Sequence, residues 1–175
     1  ILPEVKDPKM WYKGELNFID KDKMVLTFAA YIDQGIHVNT DMVKPGDINT
    51  MQELLSPRWK GKITMDDPTV AGRGQQWMTV VAIRQGEQYL REFAKQEPVI
   101  TRDRRQLIDW LAKGKYAIAL GVRTPDYHEY KSAGAPITNI PLKEVSYLLS
   151  GIGNISYIDK APHPNASMVF LNWLL

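Results

Sequence analysis

Between Ile63 and Ile140 the apolar residues switch repeatedly between the spacing of a strand and that of a helix. No other feature constrains the fold as much. Strands that alternate with helices bury their apolar faces as an α/β layer with a largely parallel sheet. Ile63 and Met65 are the buried positions of a short strand, and Pro68 ends it by removing a ladder donor. Gly72 and Gly74 let the chain turn closely into a helix marked by Trp77, Val80 and Val81. Gly86 breaks that helix, and Tyr89, Leu90, Phe93 and Ala94 form a second apolar face. Pro98 to Thr101 reads as a strand. Asp103 then caps a helix with Gln106 in the reciprocal position, and Gly114 closes it. Tyr116 to Leu120 is a continuous apolar run, the signature of a strand buried on both faces. Thr124-Pro125 supplies an N-cap and a first-turn proline for a helix ending near Gly134, and Ile137 to Ile140 is the next strand.

The flanks are less regular. Residues 1–23 are polar and irregular, and Met24 to Asn39 is strand-like with a bend at Gly35. Thr50 and Glu53 have capping-box spacing. Val145 to Ser150 and Ile152 to Ile158 are two further strand-like runs, and Asn165 is placed to cap a last helix carrying Ala166, Val169, Phe170, Trp173 and Leu174. The chain opens with Ile1-Leu2-Pro3 and stops within that apolar stripe, so it is expected to be part of a longer protein. A hydrophobic share of 44% and a charged share of 24% are ordinary globular values. The formal charge of +2, with no basic run or nucleic-acid motif, argues against a nucleic-acid partner. The absence of cysteine removes disulfides, thiolate metal sites and thiol nucleophiles. No apolar run approaches the roughly 18 residues of a membrane span.

Three helix starts follow strand ends, at Thr69–Gly74, Asp103 and Thr124, and each carries arginine: Arg73, then Arg102, Arg104 and Arg105, then Arg123. Ligands of open α/β sheets bind outside the carboxyl ends of strands. A helix start offers free amides and a positive dipole end, and arginine suits carboxylates and phosphates. The plain alternatives are an ordinary strand–helix turn, with the arginines paired to Asp66, Asp67, Asp103 and Asp126 or facing solvent. Asp66, Asp67, Asp126, Tyr127, His128 and Glu129 also allow a hard-metal reading by donor type, although adjacent helical positions cannot all face one ion. His37, His128 and His163 lie far apart in the sequence, and no nucleophile elbow or P-loop is present.

Leu54-Leu55-Ser56-Pro57-Arg58-Trp59-Lys60-Gly61-Lys62-Ile63-Thr64-Met65-Asp66-Asp67-Pro68-Thr69 resembles a signature of bacterial extracellular solute-binding proteins of ABC importers. These belong to the group with ferric-iron, thiamine, polyamine and phosphonate binders. Gly114 to Gly121 and Ala161-Pro162-His163-Pro164-Asn165-Ala166, followed by Phe170 to Leu175, resemble later segments of the same family. The likeness runs from about Val25 to the end.

This resemblance implies an α/β, type II periplasmic-binding-protein-like lobe, with a mixed, largely parallel sheet, flanking helices and crossing strands. Residues 1–40 would be an N-terminal segment and first crossing strand, 41–142 the second lobe, and 143–175 return strands and part of the first lobe. Carried over by position, the ligand-binding residues would be Thr69, Val70, Ala71, Gly72 and Arg73 of the loop, Arg123 and Tyr127 after the later strand, and Tyr31 and Ser150 on crossing strands. The family's role is capture of a solute, here small and anionic or zwitterionic, for a membrane permease, with no catalysis, cofactor or metal. The location is periplasmic or extracellular, with lipid anchoring one way of holding the protein there. In ferric-iron binders the later segment carries adjacent tyrosines. Here His128 follows Tyr127, which leaves a ferric site resting on Tyr127 as the alternative, and a regulator's effector domain as another. With the rest of the first lobe outside the chain, exposed apolar surface is expected to drive self-association.

Overall fold

The computed structural model describes residues 7–28, 31–33, 35–149 and 153–175. The chain divides into two compact units. One comprises residues 1–32 and 148–175, and the other residues 33–147.

The larger unit is built on a five-stranded sheet. Its strands are β4 (Ile36–Asn39), β5 (Ile63–Asp66), β6 (Val99–Thr101), β7 (Ile118–Leu120) and β8 (Ile137–Ile140). Their order across the sheet is β6-β5-β7-β4-β8. β5 pairs in parallel with β6 and β7, as the alternation predicts. β4 runs antiparallel to both its neighbours, with His37 opposite Ala119 on β7 and opposite Asn139 on β8. Three helices connect the strands: α1 (Arg73–Ala94), α2 (Arg104–Ala112) and α3 (Thr124–Ser132).

The strand pleat distributes β7 between two cores. Ile118 and Leu120 face a cluster holding Trp77, Val81, Tyr89 and Phe93 of α1. Ala119 faces a second cluster with Leu107, Ile108 and Leu111 of α2, against which Tyr127 and Tyr130 of α3 pack. The helices therefore cover both sheet faces, and this explains why β7 is apolar at every position. Gly86 interrupts α1 with φ 81° and ψ 174°, a backbone state almost reserved for glycine. Tyr89, just beyond this kink, donates its hydroxyl to the Met51 carbonyl at 2.6 Å. Asn39 ties β4 to the end of α2, donating to the Leu111 carbonyl at 2.8 Å.

Thr50 and Glu53 form the expected capping box, here on a 3-10 turn, Met51–Leu55. Asp103 caps α2 through the amides of Arg105 and Gln106. Gln106 does not reciprocate. Its side-chain oxygen accepts from the Thr101 hydroxyl at 2.9 Å, and that hydroxyl in turn accepts from the Asp103 amide.

The smaller unit contains β1 (Asn17–Phe18), β2 (Val25–Thr27) and β10 (Asn154–Ser156), in the order β1-β2-β10, all antiparallel. The first 23 residues are thus not wholly irregular, because Asn17 and Phe18 find edge pairing on β2. The helix α4 (Pro164–Leu174) has His163 at its N-cap. Asn165, expected there, lies inside the first turn, since Pro164 already occupies a helical position that suits its fixed φ. Leu16, Phe18, Met24, Leu26, Ile155, Leu171 and neighbouring residues line an apolar groove of about 620 Å³ in this unit. Phe170 and Trp173 of α4 are largely exposed. A third sheet pairs β3 (Tyr31–Asp33) with β9 (Tyr147–Leu149). The unit boundaries fall within these two strands. No helix among the described residues is long and apolar enough to cross a membrane.

Candidate functional site

The strand order locates the site before any side chain is considered. After β5 the chain leaves through α1 for β6, on one side of the sheet. After β7 it leaves through α3 for β8, on the other side. Between β5 and β7 the connections diverge, and such a switch point opens a crevice at the carboxyl ends of the strands. Met65 and Leu120 are paired there, so the loops after them start as neighbours. Since β4 is antiparallel, its first residues reach the same edge. Gly35, His37, Arg73, Trp77, Gly121 and Tyr147 line a small crevice at this point.

Main-chain contact fixes the crevice walls. A Cβ on Gly74 would lie 2.0 Å from the Asp66 carbonyl oxygen. A Cβ on Gly121, which sits at φ +82°, would lie 2.9 Å from the Asp66 Cβ and 3.1 Å from the Gly74 nitrogen. Gly72 is extended rather than left-handed, at φ 169°. Two acidic side chains order the loop. Asp66 accepts from the Gly74 amide at 2.9 Å and so serves the helix start that Gly72 cannot cap. Asp67 accepts from both the amide and the hydroxyl of Thr69, at 2.8 and 2.6 Å. It also pairs with Arg102 at 2.7 Å. The Thr69 hydroxyl, then Arg102, hold the Asp67 carboxyl down at about 2. The amides of Ala71 and Gly72 donate to no acceptor among the described residues.

The loop residues Thr69, Val70 and Ala71 are exposed, Gly72 is half-buried, and the Arg73 side chain is buried at the first turn of α1. Arg123 is the exposed N-cap of α3, and Tyr127 lies half-buried in that helix. These seven positions share the switch-point edge. Tyr31 lies in β3, and its side chain is outside the described residues, as is the whole of Ser150. Arg102 follows the plain alternative and pairs with Asp67, whereas Arg105 reaches Glu129 at 3.9 Å.

The structure adds His37 to this set. Its ring centroid is 5.0 Å from that of Tyr127, and Tyr127 is 5.2 Å from His128. Burial, then the nearby His128 charge, lower the His37 imidazole to about 4, so it is neutral near pH 7. The one signal in the sequence was a histidine set between the strand residues Ile36 and Val38. Its partners, some ninety residues away on α3, were not visible in the sequence. Asp126, in the first turn of α3, is also buried. Among the described residues no three His, Asp or Glu side chains converge as a metal site.

The family model for bacterial extracellular solute-binding proteins matches residues 26–175. No curated protein matches the chain. Among solved structures, a two-component system protein described as mediating signal transduction is 25% identical with a TM-score of 0.70, over 86% of this chain and 50% of its own. The periplasmic binding protein AfuA from Actinobacillus pleuropneumoniae, with fructose-6-phosphate bound, is 21% identical with a TM-score of 0.65, over 86% of this chain and 48% of its own. Iron-bound HitA from Pseudomonas aeruginosa is 13% identical with a TM-score of 0.68, over 89% of this chain and 52% of its own. The chain spans about half the length of these structures. With the two binding proteins it shares the type II periplasmic-binding-protein fold, a mixed α/β sheet flanked by helices.

Proposed function

The chain belongs to the family of bacterial extracellular solute-binding proteins, and from that premise we propose that it supplies the second-lobe half of a binding cleft for a small anionic or zwitterionic solute. The whole protein then presents that solute to the permease of an ABC importer, at a periplasmic or extracellular location where a lipid anchor is one way of holding it. It carries out no catalysis. One observation carries the choice of an anion: the unengaged amides of Ala71 and Gly72 stand at the positive end of α1, beside the buried Arg73. The fructose-6-phosphate of AfuA is an anion of this class. The apolar groove of the smaller unit and the exposed Phe170 and Trp173 support self-association of the chain through that unit.

A thermal-shift screen tests the choice of solute. Phosphate, phosphonate or small carboxylates should raise the melting temperature, because a ligand at a hundred times its Kd adds about 2.7 kcal/mol of stability. Arg73→Lys should reduce the shift by replacing a planar fork with a point charge. Stabilisation by ferric iron alone, lost on Tyr127→Phe, would refute the anion and favour the iron reading.

A further inference from the structure

Asp126 has an environment that its place in the fold does not explain. Only 9% of its surface is exposed, and its Oδ2 is sealed from solvent without a hydrogen-bond partner. It forms no hydrogen bond or ion pair among the described residues. A buried carboxylate in that condition is costly, and natural structures rarely keep one without a use. It is the third residue of α3 and the sole buried one in that helix. Helical side chains lean towards the N-terminus, which sets this one over the first turn of α3, the turn that opens at the switch-point edge beside the crevice rather than among its lining residues. Trp77, which lines the crevice at the same edge, has a buried indole N–H that is likewise unmatched. The edge thus holds an acceptor and a donor awaiting partners, in addition to the amides of the loop.

We infer that Asp126 is a specificity-determining residue of the cleft, accepting a hydrogen bond from an ammonium or hydroxyl group carried by the anionic solute. This rests on the reading that the anion sits at Ala71 and Gly72. The solute class narrows accordingly to anions with an N–H or O–H donor on the same small skeleton, and simple anions of equal size are discriminated against. The discrimination arises because an anion without the donor leaves Asp126 unsatisfied and brings a second negative charge near it.

Three phosphates of similar size test it by calorimetric titration of the whole chain: ethyl phosphate, 2-hydroxyethyl phosphate and 2-aminoethyl phosphate. At least one donor-bearing phosphate should bind about tenfold or more tighter than ethyl phosphate, the scale of a hydrogen bond to a charged group. Asp126→Ala should abolish that preference while leaving ethyl phosphate bound at least as well. Asp126→Asn separates the donors, losing the ammonium preference and retaining part of the hydroxyl one. A second readout distinguishes recognition from a structural role. An acid that only complements the helix dipole would lower the melting temperature of the empty protein when neutralised. A carboxylate held for a ligand should leave it unchanged or raise it. Equal binding of all three phosphates, a preference that survives Asp126→Ala, or a lowered melting temperature in Asp126→Asn would overturn the inference while leaving the anion site standing. If none of the three binds, the anion site fails and the role of Asp126 fails with it.

Discussion

Acidification should destabilise the larger unit through His37. The imidazole is held near 4 in the folded chain against an ordinary value of 6.5, chiefly by burial and secondly by His128. Because the folded-state value is depressed, the unfolded chain takes up a proton first. Stability is therefore full above about pH 6.5 and is lost as the pH falls towards about 4. The gap of roughly 2.5 pH units, at about 1.4 kcal/mol each, sets the loss at about 3 kcal/mol. Against a typical total of about 5–15 kcal/mol, that is a large fraction. Urea titrations at a series of pH values between 7 and 4 would measure it, read by tryptophan fluorescence. His37→Gln removes the titrating group, so its stability should fall far less steeply across this window, whatever the substitution costs at pH 7. His128→Asn removes the neighbouring positive charge and should narrow the window from below. A His37→Gln variant with the same pH dependence as the unmodified chain would refute the reasoning. Asp67 titrates in a separate range. Its depressed carboxyl contributes above about 3.8, and that contribution is lost only as the pH falls towards 2.

Thr69→Val should raise the Asp67 carboxyl from about 2 towards the ordinary range, since the hydroxyl is the largest influence holding it down; carbon-detected NMR titration would follow the change. Gly86→Ala should cost about 1–3 kcal/mol although no atom lies within 4 Å of the added methyl, because the penalty is in the backbone angles; chemical denaturation would register it as a lowered midpoint.

The alternation from Ile63 to Ile140 was legible because core burial imposes a different period on strands and helices. The place of β4 was not. Ile36–Asn39 reads as a strand from its apolar residues, but nothing in those four positions reports that β7 and β8 will flank it in the opposite direction. Likewise the run from Val25 to Asn39 divides among three sheets, because short strands take their partners from distant chain. Of the candidate site, the loop and its Arg73 announced themselves through glycine, proline and charge. His37 did not, since its meeting with Tyr127 depends on how β4 sits beside β7. Nor did the engagement of Thr69 by Asp67, as a local side-chain turn and a ligand contact use the same residue types.

The contact of Gly74 with the Asp66 carbonyl makes the loop a main-chain device. Because backbone meets backbone there, and Thr69 stays tied to Asp67, the height of the amides above the sheet does not depend on which side chains occupy positions 70 and 71. Val70 and Ala71 are exposed at the rim. Variation among them can reshape the mouth of the crevice, altering its width and polarity, while the fixed amides keep their aim. A library randomised at residues 70 and 71, with Thr69, Gly74 and Gly121 retained, would therefore vary the crevice mouth on a constant frame, and under the proposed function it would read out solute preference. The same library without those glycines would mostly sample frames that no longer close.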